Sequence, residues 1–139
     1  MHFARFLAPL LLSSVIAGCS AAEPAQKRDA WESDHLPPGA PLTEQQKIEL
    51  LLASVRQSGM VLVRDGREHS AEEAADALQE DWEHAGDIAT ARDFIEKVAA
   101  QSPLTGRPHV VRAKSGDSTS RDWLTEQLAE IEERDAAKR

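Results

Sequence analysis

Cysteine occurs once in these 139 residues, at Cys19, and tyrosine not at all. A single cysteine forms no intrachain disulfide, so no covalent framework holds the fold. Aromatic side chains are sparse: past residue 18 there are only Trp31, Trp82, Phe94 and Trp123. Binders of carbohydrate or single-stranded nucleic acid usually stack their ligands on aromatic platforms, so those roles are weakened. Positive charge is also short. Lys and Arg number 16 against 24 Asp and Glu, a formal net charge of −8. Neutralising phosphates needs a clustered cationic surface, so nucleic acid is not an expected partner. The same balance disfavours a basic patch docking on anionic lipid. No apolar run reaches the about 20 residues that a transmembrane helix needs.

What is present starts with an address. Arg5 precedes a short apolar stretch, residues 6–17, interrupted by Pro9, Ser13 and Ser14 and ending in Ile16-Ala17-Gly18-Cys19. A charged start, a short apolar core and small residues before a cleavage point are the marks of a secretory signal peptide. Ile16 to Cys19 resembles the lipobox of bacterial lipoproteins, which predicts a signal over residues 1–18 and acylation (palmitate included) of Cys19. Acylation also removes a lone thiol from an oxidising compartment. Two or more acyl chains anchor stably where one does not. Ser20 stands where Asp would mark inner-membrane retention, so the expected location is the outer membrane, periplasmic face. Losing residues 1–18 removes one charge, Arg5, and leaves a chain suited to one domain.

Residues 19–42 read as the lipidated cysteine and a tether. Leu36-Pro37-Pro38-Gly39-Ala40-Pro41 is dense in proline and therefore extended. Trp31 interrupts the tether, as a residue that packs back on the domain, sits at the membrane interface or docks a partner. Periodicity begins after it. Thr43 with Gln46 predicts a capping box for a helix over residues 44–58, with Ile48, Leu51, Leu52 and Val55 on one stripe. Residues 60–64 are β-prone, and Asp65-Gly66 is a strong hairpin-turn pair. Ser70 with Glu73 makes a second capping box, opening a helix that buries Ala71, Ala74, Ala75, Leu78 and Trp82. Thr90 and Asp93 open a third, with Ala91, Phe94, Ile95, Val98 and Ala99 at helical spacing. Residues 109–112 are β-prone, residues 114–120 read as a flexible loop, and Trp123, Leu124, Leu128 and Ile131 mark a last helix that frays from Glu132. The expectation is an α+β domain over residues 43–131, with about four amphipathic helices on a two- or three-stranded antiparallel sheet. A charged tail over residues 132–139 follows, and no internal repeat is visible. Two strands alone are marginal, so the sheet must pack on helices.

The chemistry-bearing residues gather around the two β-prone runs. If these pair, Arg64 and His109 come close, with Glu68 and His69 past the turn and Arg107 just before the second run. A cation beside imidazoles can hold a carboxylate or phosphate, and His can act as a base near neutral pH. The plainer expectation is structural: Arg64 pairs with an acidic helix end, and Gly66 serves the turn. Thr105-Gly106-Arg107 has too few glycines for a phosphate-binding loop, and no helix starts directly after it. Glu80 and His84, one helical turn apart, need a further ligand to hold zinc. No Gly-x-Ser-x-Gly elbow exists, so Ser102 near His109 is no nucleophile by motif. Neither metal nor cofactor is expected, and no catalytic residue is assigned.

Val63-Arg64-Asp65-Gly66 with His69, Ala74-Ala75 with Leu78, Thr90-Ala91 with Phe94-Ile95, Val98-Ala99, Ser102 and Gly106-Arg107-Pro108-His109 carry a resemblance. In residue type and spacing, residues 44–128 resemble the YfeK-like bacterial envelope proteins, a domain of unknown function. Asp65 and His109 depart from the family pattern, which often has Asn and Tyr there. The resemblance implies an envelope location and a small α+β fold, and it implies no reaction. The sequence therefore leads to a non-enzymatic, membrane-tethered periplasmic module that binds a partner protein or another envelope component. The alternative is a small-anion binder or enzyme using Arg64, His69 and His109.

Overall fold

The computed structural model describes residues 39–139. The signal segment, Cys19 and Trp31 lie outside the described residues. Helix α1 (Glu44–Gln57) starts where the capping box predicts: the Thr43 hydroxyl accepts from the Gln46 amide at 3.2 Å, and the Gln46 side chain accepts from the Thr43 amide at 2.9 Å. Its buried stripe is Ile48, Leu51, Leu52 and Val55. Strands β1 (Val61–Arg64) and β2 (Arg67–Ser70) are joined by Asp65 and Gly66, with φ of 50° and 79°. Two successive positive φ values make a type I′ turn, whose twist matches that of the strands it joins. Ser70 ends β2 and caps helix α2 (Ala71–His84) through a second capping box with Glu73.

Helix α3 (Ala91–Phe94) is capped by the Thr90 hydroxyl and widens at once into a π-turn, Ile95–Ala99. The sequence pattern predicts its buried residues and not this widening. The wide turn lets Phe94, Ile95, Val98, Ala99 and Ala100 all face the core. Phe94 is fully buried and meets the Trp82 ring edge-on, with centroids 6.1 Å apart and planes at 75°. Such pairs add about 0.5–1.5 kcal/mol to the burial term.

Two expectations need correction. Residues 114–120 are not a flexible loop: β3 (Val110–Ala113) turns at Lys114 and Ser115 into β4 (Gly116–Thr119), and the sheet has four strands in the order β2-β1-β3-β4, all antiparallel. Gly116, Asp117 and Ser118 have low strand propensity, and pairing with β3 overrides it. Nor does the last helix fray at Glu132. Helix α4 runs Ser120–Ala137, because Glu132 meets Lys47 of α1 at 3.2 Å and the buried Asp135 accepts the Leu42 amide at 3.3 Å.

The sheet also holds a symmetry that the residues conceal. β3, β4 and α4 follow β1, β2 and α2 at one constant offset, and Thr119 caps α4 as Ser70 caps α2. The central pair Leu62↔Val111 joins equivalent positions of the two units, and the same offset equates the buried Met60 with the buried His109. The two units are therefore related by a local two-fold axis through the β1–β3 pair. Side chains alternate across a strand, so Leu62 and Val111 face the helices. Val61, Val63 and Val110 lie half-buried on the other face, beside an Arg112 that pairs with Glu68 and, at 3.8 Å, with Asp117.

Candidate functional site

Arg64 ends β1 on the same face as Leu62, which turns it toward α2. Its guanidinium meets the Asp81 carboxylate at 2.8 Å, with 18% and 27% of the two side chains exposed. One turn residue further, Asp65 accepts the Ser102 hydroxyl at 2.7 Å and the Thr105 hydroxyl. These hydrogen bonds, Thr105 first, hold the Asp65 carboxyl below its ordinary range; the Arg64 guanidinium adds to this. The loop over residues 102–108 is tied internally as well. The Ser102 amide donates to the Arg107 carbonyl at 2.9 Å, and the Gly106 amide to the Ser102 carbonyl at 2.9 Å.

His109 lies at the foot of this loop and is fully buried. Its backbone amide donates to the Ala100 carbonyl at 3.0 Å, and its Nδ1 lies 3.0 Å from the Ala99 carbonyl. A carbonyl only accepts, so Nδ1 carries the proton and Nε2 is the bare nitrogen. Together these bonds satisfy carbonyls that the π-turn leaves open at its end. Burial pushes the His109 pKa down, and the Arg64 guanidinium pushes it further; the Ala99 carbonyl, Asp65 and Asp81 act against both. The ring is thus neutral at pH 7. Its buried Nε2 has no hydrogen-bond partner among the described residues.

The expected cluster converges only in part. Arg64 and His109 are neighbours, with Asp65 and Asp81 beside them. His69 sits in β2 opposite Leu62, half-buried, just before the Ser70 cap of α2. Glu68 points to the open sheet face, where it pairs with Arg112. Arg107 is exposed and makes no ion pair among the described residues. Ser102 bonds to Asp65, and its amide and hydroxyl serve the loop. His84 Nδ1 lies 2.7 Å from the Glu80 carbonyl, a contact within its own helix. Among the described residues no group of three His, Cys, Asp or Glu is placed to hold a metal ion.

A family model described as a family of unknown function, DUF5329, matches residues 42–132. The chain belongs to that family. The DUF5329 match takes in both hairpins, the loop over residues 102–108 and most of α4. No curated protein and no solved structure matches the chain. Within this DUF5329 domain, the sequence does not single out Ser102 and Thr105 as partners of Asp65. A turn aspartate at positive φ facing a Ser-Pro-x-Thr loop was the available signal, since such a carboxylate must find donors. Among the described residues no helix is long and apolar enough to cross a membrane.

Proposed function

We propose that this DUF5329 protein is a YfeK-like envelope lipoprotein, held by acyl chains on Cys19 at the periplasmic face of the outer membrane, whose domain binds an envelope protein without catalysing a reaction. The observation that carries the reading is the commitment of the reactive groups to the fold. Arg64 is paired with Asp81, Asp65 with two hydroxyls, and the His109 Nδ1–H with the Ala99 carbonyl. A group held this way is a framework element, whereas the exposed arginines nearby are suited to recognition.

In-cell crosslinking of the full-length protein, followed by mass spectrometry, tests the reading. One dominant envelope protein captured reproducibly supports it. A Cys19→Ser variant that still fractionates with membranes defeats the anchor. The bare Nε2 of His109 beside Arg64 favours a second reading, a small-anion binder or an enzyme using Arg64, His69 and His109. No captured protein, together with a small molecule retained in native mass spectrometry, selects that alternative.

A further inference from the structure

Leu104 is 86% exposed, on a loop that is otherwise tied down. A large apolar side chain at a loop tip costs nothing to leave in water singly, but here the backbone beneath it is fixed from several sides. Asp65 holds the Ser102 and Thr105 hydroxyls, the Leu104 amide donates to the Ser102 hydroxyl at 3.3 Å, and the Arg107 amide donates to the Thr105 hydroxyl at 3.3 Å. Pro103 and Gly106, at φ +68°, close the turn. This is more restraint than a plain connection needs. A rigid loop loses little freedom on binding, which is how preorganised contacts gain affinity.

The charge around the tip departs from that of the chain. Arg67 and Arg107 each lie two residues from the Asp65–Thr105 hydrogen bond, and both are exposed. Neither makes an ion pair among the described residues, on a chain of formal net charge −8. Arginine is among the residues most enriched at the centres of binding energy in protein interfaces, where anchors fill well-packed, desolvated pockets.

We propose that residues 102–108, with the β1–β2 turn, form a docking knob: Leu104 enters an apolar pocket on a partner protein whose rim is acidic, and Arg67 and Arg107 meet that rim. The proposal rests on the binding-module reading and names its contact surface and partner chemistry. A protein pocket is favoured over a lipid surface because the fixed loop offers one leucine and no apolar helix face for a bilayer to take up.

The test is selection of a random-peptide library on the purified full-length protein, with the best peptides titrated against variants. Leu104→Ser and Arg67→Glu/Arg107→Glu change exposed side chains that make no hydrogen bond or ion pair among the described residues, so both variants should fold as wild type, which circular dichroism checks. The expected winners combine acidic and apolar residues, lose about tenfold or more in affinity with either variant, and weaken in high salt. Winners that are basic, or that bind both variants as wild type, overturn the knob. So does Leu104-dependent binding to vesicles containing phosphatidylglycerol with no peptide selected. If crosslinking captures a partner equally well with Leu104→Ser, the binding module survives and this surface does not.

Discussion

The Asp65 carboxylate, in the turn between β1 and β2, accepts the buried Ser102 hydroxyl at 2.7 Å and so ties the first hairpin to the loop that feeds the second. Ser102→Ala removes the donor and should cost about 1 kcal/mol in urea denaturation at pH 7. Asp65→Asn keeps a residue that tolerates positive φ and should destabilise less than Asp65→Ala, which loses both the acceptor and the turn preference. Equal losses for Asn and Ala would mean that the hydrogen bonds to the carboxylate, and not the turn conformation, set the stability here.

Asp65 also sets an acid limit. Its pKa is lowered in the folded state by the Thr105 and Ser102 hydrogen bonds. A depressed carboxyl favours the fold above its unfolded pKa, near 3.8, and that contribution is lost as pH falls through the folded value. Stability below pH 4 should therefore fall less steeply in Asp65→Asn than in wild type. Matching acid limbs would assign the loss to other carboxylates.

Arg64 and Asp81 form a half-buried pair, so removing one partner should cost more than removing both. Arg64→Met or Asp81→Ala alone should lose about 1–2 kcal/mol, since each strands a partly buried charge. The double variant should lose less than the sum, with a coupling of about 1 kcal/mol in a double-mutant cycle. Additive losses would show that the ion pair contributes nothing beyond the packing of each side chain.

Phe94 is the largest fully buried side chain among the described residues and the partner of Trp82. Phe94→Ala should cost about 3–5 kcal/mol and abolish the near-ultraviolet circular dichroism contributed by Trp82. Phe94→Leu should retain most of the stability while losing that signal. A Phe94→Ala protein with wild-type denaturation would contradict the packing of α3 against α2.

The helices were legible in the sequence because each carries its own local signal. Thr43 with Gln46, Ser70 with Glu73, and Thr90 with Asp93 mark three starts, and all three caps form. Asp65-Gly66 announces the first hairpin. The second has no such pair: Lys114-Ser115 is not a turn signature, and Gly116-Asp117-Ser118 reads as a loop. Only the partner strand supplies what those residues lack. For the same reason the internal two-fold stays hidden, since it equates Arg64 with Ala113 and Asp65 with Lys114, which share position and not chemistry.

The candidate site was half legible. Pairing of the β-prone runs does bring Arg64 to His109. What the spacing could not convey is that His109 stands at the core position held by Met60 in the first unit, with its ring caught under the π-turn. A polar residue type suggested an accessible group, and burial makes it a brace. Leu104 is the reverse case: its place among turn formers gives no sign of a large apolar side chain left 86% exposed.

His109 has its own consequence for stability. Burial lowers its pKa below the ordinary 6.5, so the unfolded chain takes up the proton first. Stability is then fully present above about pH 6.5 and declines as pH falls from there toward the folded value. His109→Asn, which keeps a donor for the Ala99 carbonyl, should flatten the profile between pH 5 and 7.

The claim that the polar cluster serves the fold is met most directly by the imidazole itself. A long-range nitrogen–proton NMR spectrum of the folded protein, recorded from pH 8 down to 6, reads the protonation of both ring nitrogens of His109. The account predicts a protonated Nδ1 and a bare Nε2, with any titration displaced to below the ordinary 6.5. A ring that carries its proton on Nε2, or that titrates freely near 6.5, would place an accessible base beside Arg64 and return the site to the enzyme reading.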